Sequence, residues 1–392
     1  MPSKNAQELH VSIDVGCYQH HVSVGLANGC YLGSFEISHD KAGFADFFAK
    51  VEHFKLQSNG KVSVAMEGYN GHARPLDKMI QSSAYRLLNI NNLKLARFKE
   101  IFPAAAKTDP IDSRKGLELF QLQQTLPLAK NVLQAVHEVP QVNQVLKRLT
   151  RRRRRLVNER VSYINALQAD LRAVSPGLVD ITHDVKNVWY LNFLASSKNI
   201  RQLATKKKTA ILNINQVGQK YAAIIMRWQK EATFSEDADF MSPMLQQDIA
   251  RIIALRQMIR ELDKRIAATL EQSEIAQRLL SLNGFGDTGC AELAGEIGCI
   301  DRFNKESSLA LYIGMAALDN SSGKYKGSKQ SKQVNRHAKA AMMTMVDHHR
   351  RGNEESQRYY EKKRAEGKKH NQAIRSLGRH LTRVIFKMLR NL

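Results

Sequence analysis

The sequence predicts an α/β module followed by a mainly α-helical remainder. Three observations carry that expectation. Short β-branched runs alternate with helical patterns over residues 1–145, apolar residues recur at helical spacing beyond 146, and positive charge accumulates toward the C-terminus. The chain has 392 residues, of which 60 are Lys or Arg and 37 are Asp or Glu, a net charge of +23. Residues 1–145 hold 15 basic and 13 acidic side chains, and residues 146–300 hold 24 and 16. Residues 301–392 hold 21 basic against 8 acidic. A near-neutral module beside an increasingly basic one predicts a polyanion along the middle and end of the molecule, with nucleic acid as the expected partner. The expected boundaries are 1–145, 146–275 and 276–392.

A chain of this length can bury a sizeable core, and 43% hydrophobic with 25% charged residues suits a globular protein. Cys17, Cys30, Cys290 and Cys299 form no Cys-x-x-Cys pair, so structural zinc and disulfides are not expected. Neither a secretory leader nor an apolar run of the ~20 residues needed to span a membrane is seen. A reducing cytoplasm is the expected compartment.

The first module opens with three strand patterns, HVSIDVG, HHVSVGLANG and YLGSFEIS, with Asn28-Gly29 as a hairpin turn. In KAGFADFFAKVEHF, Phe44, Phe47, Phe48, Val51 and Phe54 share one helical face. A strand, KVSVAMEG, follows, then a helix from about His72 to Ser82 and the strand YRLLNIN. The last element is the helix opened by KTDPIDSRKGLELFQL, with Asp109 as N-cap and Pro110 at the first helical position. Three strands, helix, strand, helix, strand, helix is the order of the RNase H-like fold. In that fold the first strand, the fourth strand and a late helix bring carboxylates to one edge.

Four acids stand at those places: Asp14 in the first strand, Glu67 at the end of the fourth, and Asp109 and Asp112 at the start of the late helix. Asp109 and Asp112 alone would read as helix caps complementing the dipole. With Asp14 and Glu67 they form a ligand set for hard divalent cations such as Mg2+, held in a two-metal site.

The middle block is mostly helical. Val157, Ile164, Leu167, Leu171 and Val174, and later Ile252, Leu255, Ile259, Leu262 and Ile266, repeat at helix or heptad spacing, as in a coiled-coil hairpin or dimer seam. Arg151, Arg152, Arg153, Arg154 and Arg155 put five cations in under two turns, and contact with a phosphate backbone is the preferred reading over a solvated helix face. Residues 185–247 give no clear pattern beyond a helical insertion. The third block opens with QRLLSLNGFGDTGCAELAGEIGCIDRF, where Gly284 and Gly286 suggest a helix-hairpin-helix-like turn offering backbone amides to a DNA phosphate.

Together these segments resemble the transposases and recombinases of bridge-RNA-guided insertion sequences, a group that includes the Piv-type DNA invertases. SIDVG, AMEGYNG and KTDPIDSRK match the Asp-Glu-Asp-Asp tetrad of the family's RuvC-like domain. LNGFGDTGCAELAGEIGCIDRF and LYIGMAALDNSSGKYKGSKQSKQVNRHAKAAM match its C-terminal transposase domain. The resemblance covers about 1–180 and 276–350. It departs at Gln333-Val334, where the family often has glycine, and at Ala317-Leu318, where it often has proline.

The resemblance implies a nucleophilic serine in Ser321-Ser322-Gly323, with Ser322 preferred and Ser321 as runner-up, and covalent phosphoserine strand transfer assisted by the tetrad's metals. It implies Lys324, Lys326, Lys329, Lys332 and Arg336 as phosphate contacts. Donor and target DNA, a non-coding bridge RNA, and a homo-oligomer (a dimer, or a tetramer when two DNA sites are held) are the implied partners. The implied setting is the cytoplasm of a prokaryote, at the nucleoid. Two alternatives stay open: a RuvC-like junction resolvase using activated water, and a nucleic-acid-binding protein whose acids are structural. Whether such an enzyme inserts or inverts DNA is also open.

Overall fold

The computed structural model describes residues 7–58, 60–68, 71–100, 109–125, 132–182, 184–323, 327–329, 331 and 334–391. The chain forms two compact units, 1–138 and 139–392.

The first unit is built on a six-stranded mixed sheet. Its strands are β1 (Leu9–Val15), β2 (Gln19–Leu26), β3 (Tyr31–Ser38), β4 (Val62–Glu67), β5 (Arg86–Ile90) and β6 (Leu133–Ala135), ordered β3-β2-β1-β4-β5-β6. β1, β4 and β5 run parallel, while β2, β3 and β6 are antiparallel to their neighbours. The β2–β3 hairpin turns where Gly29 takes φ +97°, a conformation that costs glycine little. This order and these directions are consistent with the RNase H-like expectation.

Strand alternation divides the apolar residues between the two faces. Val11, Ile13, Val64 and Met66 pack with Phe44, Phe47 and Val51 of α1 (Lys41–Ser58) and with Leu76 and Ile80 of α2 (Arg74–Ser82). Ala65, Leu88 and Ile90 pack on the other face with Leu117, Leu119 and Phe120 of α4 (Asp109–Thr125). Two elements were not expected from the sequence. One is α3 (Asn92–Lys99), capped by the Asn91 side chain accepting from the Lys94 amide; the other is the three-residue strand β6.

The second unit is mainly helical. α5 (Gln141–Val174) and α10 (Ala238–Leu270) pack along one another, with Leu156, Leu255 and Ile259 buried between them. Residues 185–247 form the short helices α7 (Val188–Ala195), α8 (Lys208–Leu212) and α9 (Gln219–Glu231), which follow α6 (Pro176–Asp180). They enclose their own core around Trp189, Tyr190, Phe193, Ile225 and Trp228, closed by Leu167 and Leu171 of α5 and Leu245 and Ile249 of α10.

A separate core joins α11 (Glu274–Leu280), α12 (Asp287–Ile297), α13 (Glu306–Tyr312), α14 (Arg336–Arg351) and α16 (His370–Arg390). α15 (Glu354–Ala365) lies against α14 and α16. No helix among the described residues is long and apolar enough to cross a membrane.

Candidate catalytic carboxylates and the serine hairpin

β1 and β4 are paired in parallel up to Ile13↔Met66. Asp14 and Glu67 are the next residue on each strand, so they stand side by side at the carboxyl ends of neighbouring parallel strands and point to the same face. That face is the one α4 covers. The stacking of His10 on Phe120, with ring centroids 4.2 Å apart, fixes one contact of β1 with α4. Gly116 fixes the next, since a Cβ there would sit 2.2 Å from Ser12 Oγ.

Two residues along a strand advance about 6.6 Å, and four residues along a helix about 6 Å. The pairs His10–Phe120 and Ser12–Gly116 show that α4 runs antiparallel to β1, with Asp112 one helical turn beyond Gly116 in the direction in which β1 reaches Asp14. Ser113 confirms the helix position from the neighbouring strand, its Oγ lying 2.8 Å from Ser23 Oγ of β2. Asp109 lies one turn before Asp112 and so shares its face; the Asp109 side chain itself is outside the described residues.

Asp112 is buried, with 8% of its surface exposed, and Lys115 Nζ stands 4.0 Å from its Oδ1. His21 is opposite Asp14 in the β1–β2 register, with its Nδ1 3.3 Å from Glu36 Oε1. Among the described residues no three His, Cys, Asp or Glu side chains lie close enough to hold an ion between them. Asp14, Glu67 and Asp112 carry hard oxygen donors of the kind Mg2+ takes, and the strand register sets the first two on adjacent strands. The close seating of α4 on β1 depends on glycine at 116, because a side chain there would meet Ser12.

In the second unit, Ser321 and Ser322 are exposed on a hairpin. β7 (Leu318–Asp319) pairs with β8 (Ser328–Lys329) in the register Leu318↔Lys329, and Asn320 N donates to Gly327 O at 2.9 Å to close the base of the loop. Gly323 has φ +55° and nothing crowds its Cα, so glycine there serves backbone conformation. Lys329 and Arg336 are exposed. Lys324, Lys326 and Lys332, and Gln333 with them, lie outside the described residues.

The arginine run is divided among three directions. Arg151 donates to Glu296 through Nε at 2.6 Å and Nη2 at 2.9 Å, and Arg154 forks onto Glu292. Arg153 pairs with Asp263 of α10. Arg152 and Arg155 are exposed. Gly284 has φ +78° and is pressed to the backbone of α14, where a Cβ would meet His349 at 2.7 Å; Gly286 precedes α12 with open space around it.

Sequence reasoning missed Glu292 and Glu296. They are four apart on α12, a helix whose residues Cys290–Ile297 are all buried. Glu296 also accepts from Asn335 Nδ2 at 2.7 Å, and Asn335 caps α14 and donates to the Tyr312 hydroxyl. Burial alone would raise the Glu296 carboxyl. The hydrogen bond from Arg151, the charge of Lys147 and the hydrogen bond from Asn335 outweigh burial and hold it below its ordinary value.

Comparison with known proteins places both regions in one family. A transposase model of the DEDD type from IS110 elements matches residues 11–176, which contain all four acids. A second, the transposase of the IS116/IS110/IS902 family, matches residues 276–361, which contain the serine hairpin and Arg336. An uncharacterized 44.8 kDa protein of insertion element IS116 from Streptomyces clavuligerus is 24% identical over 99% of this chain and 96% of its own length. An uncharacterized 42 kDa protein of insertion element IS900 from Mycobacterium paratuberculosis is also 24% identical, over 98% of this chain and 96% of its own. An uncharacterized 43.6 kDa protein of insertion element IS110 from Streptomyces coelicolor is 33% identical over 36% of this chain and 35% of its own. With both models and full-length relatives in agreement, the chain belongs to the IS110/IS116/IS902 family of transposases, enzymes that cut and rejoin DNA.

Proposed function

We propose that this transposase cuts DNA by attack of the Ser322 hydroxyl on a phosphodiester, with Ser321 as the alternative nucleophile. The serine oxygen bonds to phosphorus as one sugar oxygen leaves with a proton, giving a phosphoserine-linked strand and a free hydroxyl end. The reverse step, with a different strand's hydroxyl attacking, rejoins DNA and frees the serine. The observation that carries this reading is the pinned hairpin, which lifts two serine hydroxyls clear of the core beside a backbone turn that glycine permits. A loop of that kind can approach a phosphate without burying the rest of the unit.

Asp14, Glu67, Asp109 and Asp112 would hold Mg2+. When bound, Mg2+ would neutralise charge on the phosphate and favour loss of the serine proton, which ordinary serine retains at neutral pH. The acids belong to the unit 1–138 and the serines to the unit 139–392. A complete site therefore draws on both units, from one subunit or from two, in a dimer or a tetramer. We further infer that a non-coding RNA of the element pairs with donor and target DNA and supplies sequence choice. The protein then needs to hold RNA by shape and charge, for which Arg152, Arg155 and the basic C-terminal region are suited.

The carboxylate edge favours a second reading by itself, because four acids of this kind can activate water with no serine, as in a RuvC-like resolvase. A denaturing gel of protein mixed with labelled donor DNA, Mg2+ and the element's RNA separates the two. Serine attack gives a protein–DNA adduct that Ser322→Ala abolishes. Free cut ends without an adduct, or an adduct undiminished in both Ser322→Ala and Ser321→Ala, would overturn the serine reading.

A further inference from the structure

A cleft of ≈ 660 Å3 lies at the base of the serine hairpin, between it and the C-terminal helices α15 and α16. Ala316 and Ala317, which lead into β7, form one wall together with Lys329 of β8. Tyr359 of α15 forms another, and Lys368, Arg375, Arg379 and His380 are the charged and titratable residues on the remaining side. Among the described residues no carboxylate lines it. Its volume is that of a small-ligand site, about 300–1,000 Å3.

The cations there are unevenly satisfied. Arg379 is committed to Glu306 of α13, with Nη2 to Oε2 at 3.1 Å, and Lys368 lies 3.4 Å from Glu366. Arg375 faces further positive charge: burial first, then the Arg375 guanidinium, push the nearby Lys339 ammonium below its usual value. Burial, followed by the charges of Arg383, Arg379 and Lys363, does the same to His380. Arg379 and Arg383 are paired with Glu306, and Lys363 and Lys368 with Glu366, so the lining charge left for an added anion is that of Arg375 and Lys329.

Tyr359 adds a different element. Its ring meets His380 edge-on at 4.7 Å, and its hydroxyl lies 2.9 Å from His380 Nε2, so the ring is held in place on the cleft wall. A held aromatic ring next to cations and small apolar residues suits a nucleotide, whose phosphate takes the charge and whose base takes the ring. A duplex keeps its bases turned inward, so this wall selects an unpaired strand. The hairpin tip is near enough for one strand to serve both places: Ser322 is four residues from Leu318, at most about 13 Å of extended chain.

We propose that this cleft is a nucleic-acid subsite that seats a phosphate and the adjoining base of the single DNA strand led to the serine hairpin. The assignment to the cut strand rests on the serine reading above; the binding itself does not. It gives α15 and α16 a part in the reaction, as a clamp that holds the strand on one side of the scissile phosphate.

The test is salt-dependent binding by the full-length protein, followed by fluorescence anisotropy with a labelled DNA single strand, the matching duplex, and an RNA strand of the same sequence. Each phosphate contact contributes about 0.7 to the slope of log affinity against log salt for a single strand. Lys368→Gln with Arg375→Gln is expected to lower the slope for single-stranded DNA by about 0.7–1.4. Arg227→Gln, on α9 and outside the lining, should leave it unchanged. If the double variant does not fold, as judged by its melting curve, Lys329→Gln and Lys368→Gln singly carry the same test.

An unchanged slope for single-stranded DNA overturns the proposal, and so does a loss confined to RNA or to the duplex. A lowered slope in a protein that forms no serine adduct keeps the subsite and removes the serine reading. An adduct with an unchanged slope removes the subsite alone.

Discussion

Replacing Glu296 by Gln tests whether the ion-pair node between α5, α12 and α14 holds the second unit together. Glu296 is fully buried, with Arg151 Nε at 2.6 Å, Arg151 Nη2 at 2.9 Å, Asn335 Nδ2 at 2.7 Å and Lys147 Nζ at 3.9 Å. Removing one partner of a buried ion pair costs about 3–5 kcal/mol, because the other charge is left uncompensated. Arg151 keeps 45% of its side chain exposed, so water takes up part of that loss, and the lower end of about 3 kcal/mol applies. For a unit of this size that corresponds to a melting temperature lower by about 6–12 °C.

Calorimetry at pH 7 measures it, and repetition at lower pH tests the ionic origin. Because the Glu296 carboxyl is held below its ordinary value, its stabilising contribution is present above the unfolded value of about 4.3 and is lost as pH falls through the lowered folded value. The gap between wild type and Glu296→Gln is therefore full at pH 7 and closes in acid. A variant that melts within about 2 °C of wild type at pH 7 refutes the argument. So does a gap that stays constant as the pH is lowered.

Three further outcomes are expected. Gly116→Ala forces a Cβ to within 2.2 Å of Ser12 Oγ and lifts α4 from β1; overpacking costs about 1–3 kcal/mol, while a shift of about 1 Å at Asp112 lowers DNA cutting by about 100-fold. Adding Ser12→Ala removes the clashing oxygen and should restore cutting, and a double variant as inactive as Gly116→Ala would show that the spacing is not the cause. Asp14→Asn and Glu67→Gln should each abolish cutting at any Mg2+ concentration while leaving DNA binding and melting intact; retained cutting in either removes it from the metal-holding set. His20 is buried, with Nε2 2.8 Å from His39 Nδ1, and burial, then the charge of His39, push its pKa down to about 4. Burial of the neutral ring carries no charging penalty above about pH 6.5, and the first unit should lose about 3 kcal/mol as pH falls from there to about 4 and below. Chemical denaturation across that range checks it, with His20→Gln expected to be flatter than wild type and an equally steep profile counting against the assignment.

The element that carries each acid was legible in the sequence because that placement is local. Asp14 and Glu67 end runs of alternating or β-branched residues, and Asp109-Pro110 has the form of a helix start, so each acid could be placed on an element without knowing its neighbours. The register of α4 on β1 was not legible, since it depends on Gly116 lying on Ser12 more than a hundred positions earlier in the chain. β6 is too short to show a period, and it is held by pairing with β5 and by the Gln123 side chain accepting from the Leu133 amide at 2.8 Å. α3 did carry a signal, the Asn91 cap, within a segment whose apolar residues are too few to mark a face. Residues 185–247 resisted for the opposite reason: VWYLNFLA is apolar nearly all round and buried, so no periodicity separates a core face from a solvent face.

The arginine run shows how a sequence signal can hold two functions at once. Five consecutive cations cannot share one helix face, and the structure sorts them by angle around α5. Arg151 and Arg154, three apart, meet Glu296 and Glu292, which are four apart on α12, while Arg153 turns to Asp263 on α10. The partners lie 110 to 145 residues away, which is why a run of like charge looked solvated or bound to phosphate. A recognisable trace was present: two acids at helical spacing inside an otherwise apolar helix require cations of matching spacing elsewhere. Through Glu296 the run also reaches Asn335 and Tyr312, and Asn335 opens α14 just after the serine hairpin. Arg151 and Arg154 thus tie α5 to α12, and Arg151 through Glu296 to the start of α14 behind the hairpin. Arg152 and Arg155, one turn apart and exposed, are the members of the run left facing solvent, where a nucleic-acid backbone can meet them.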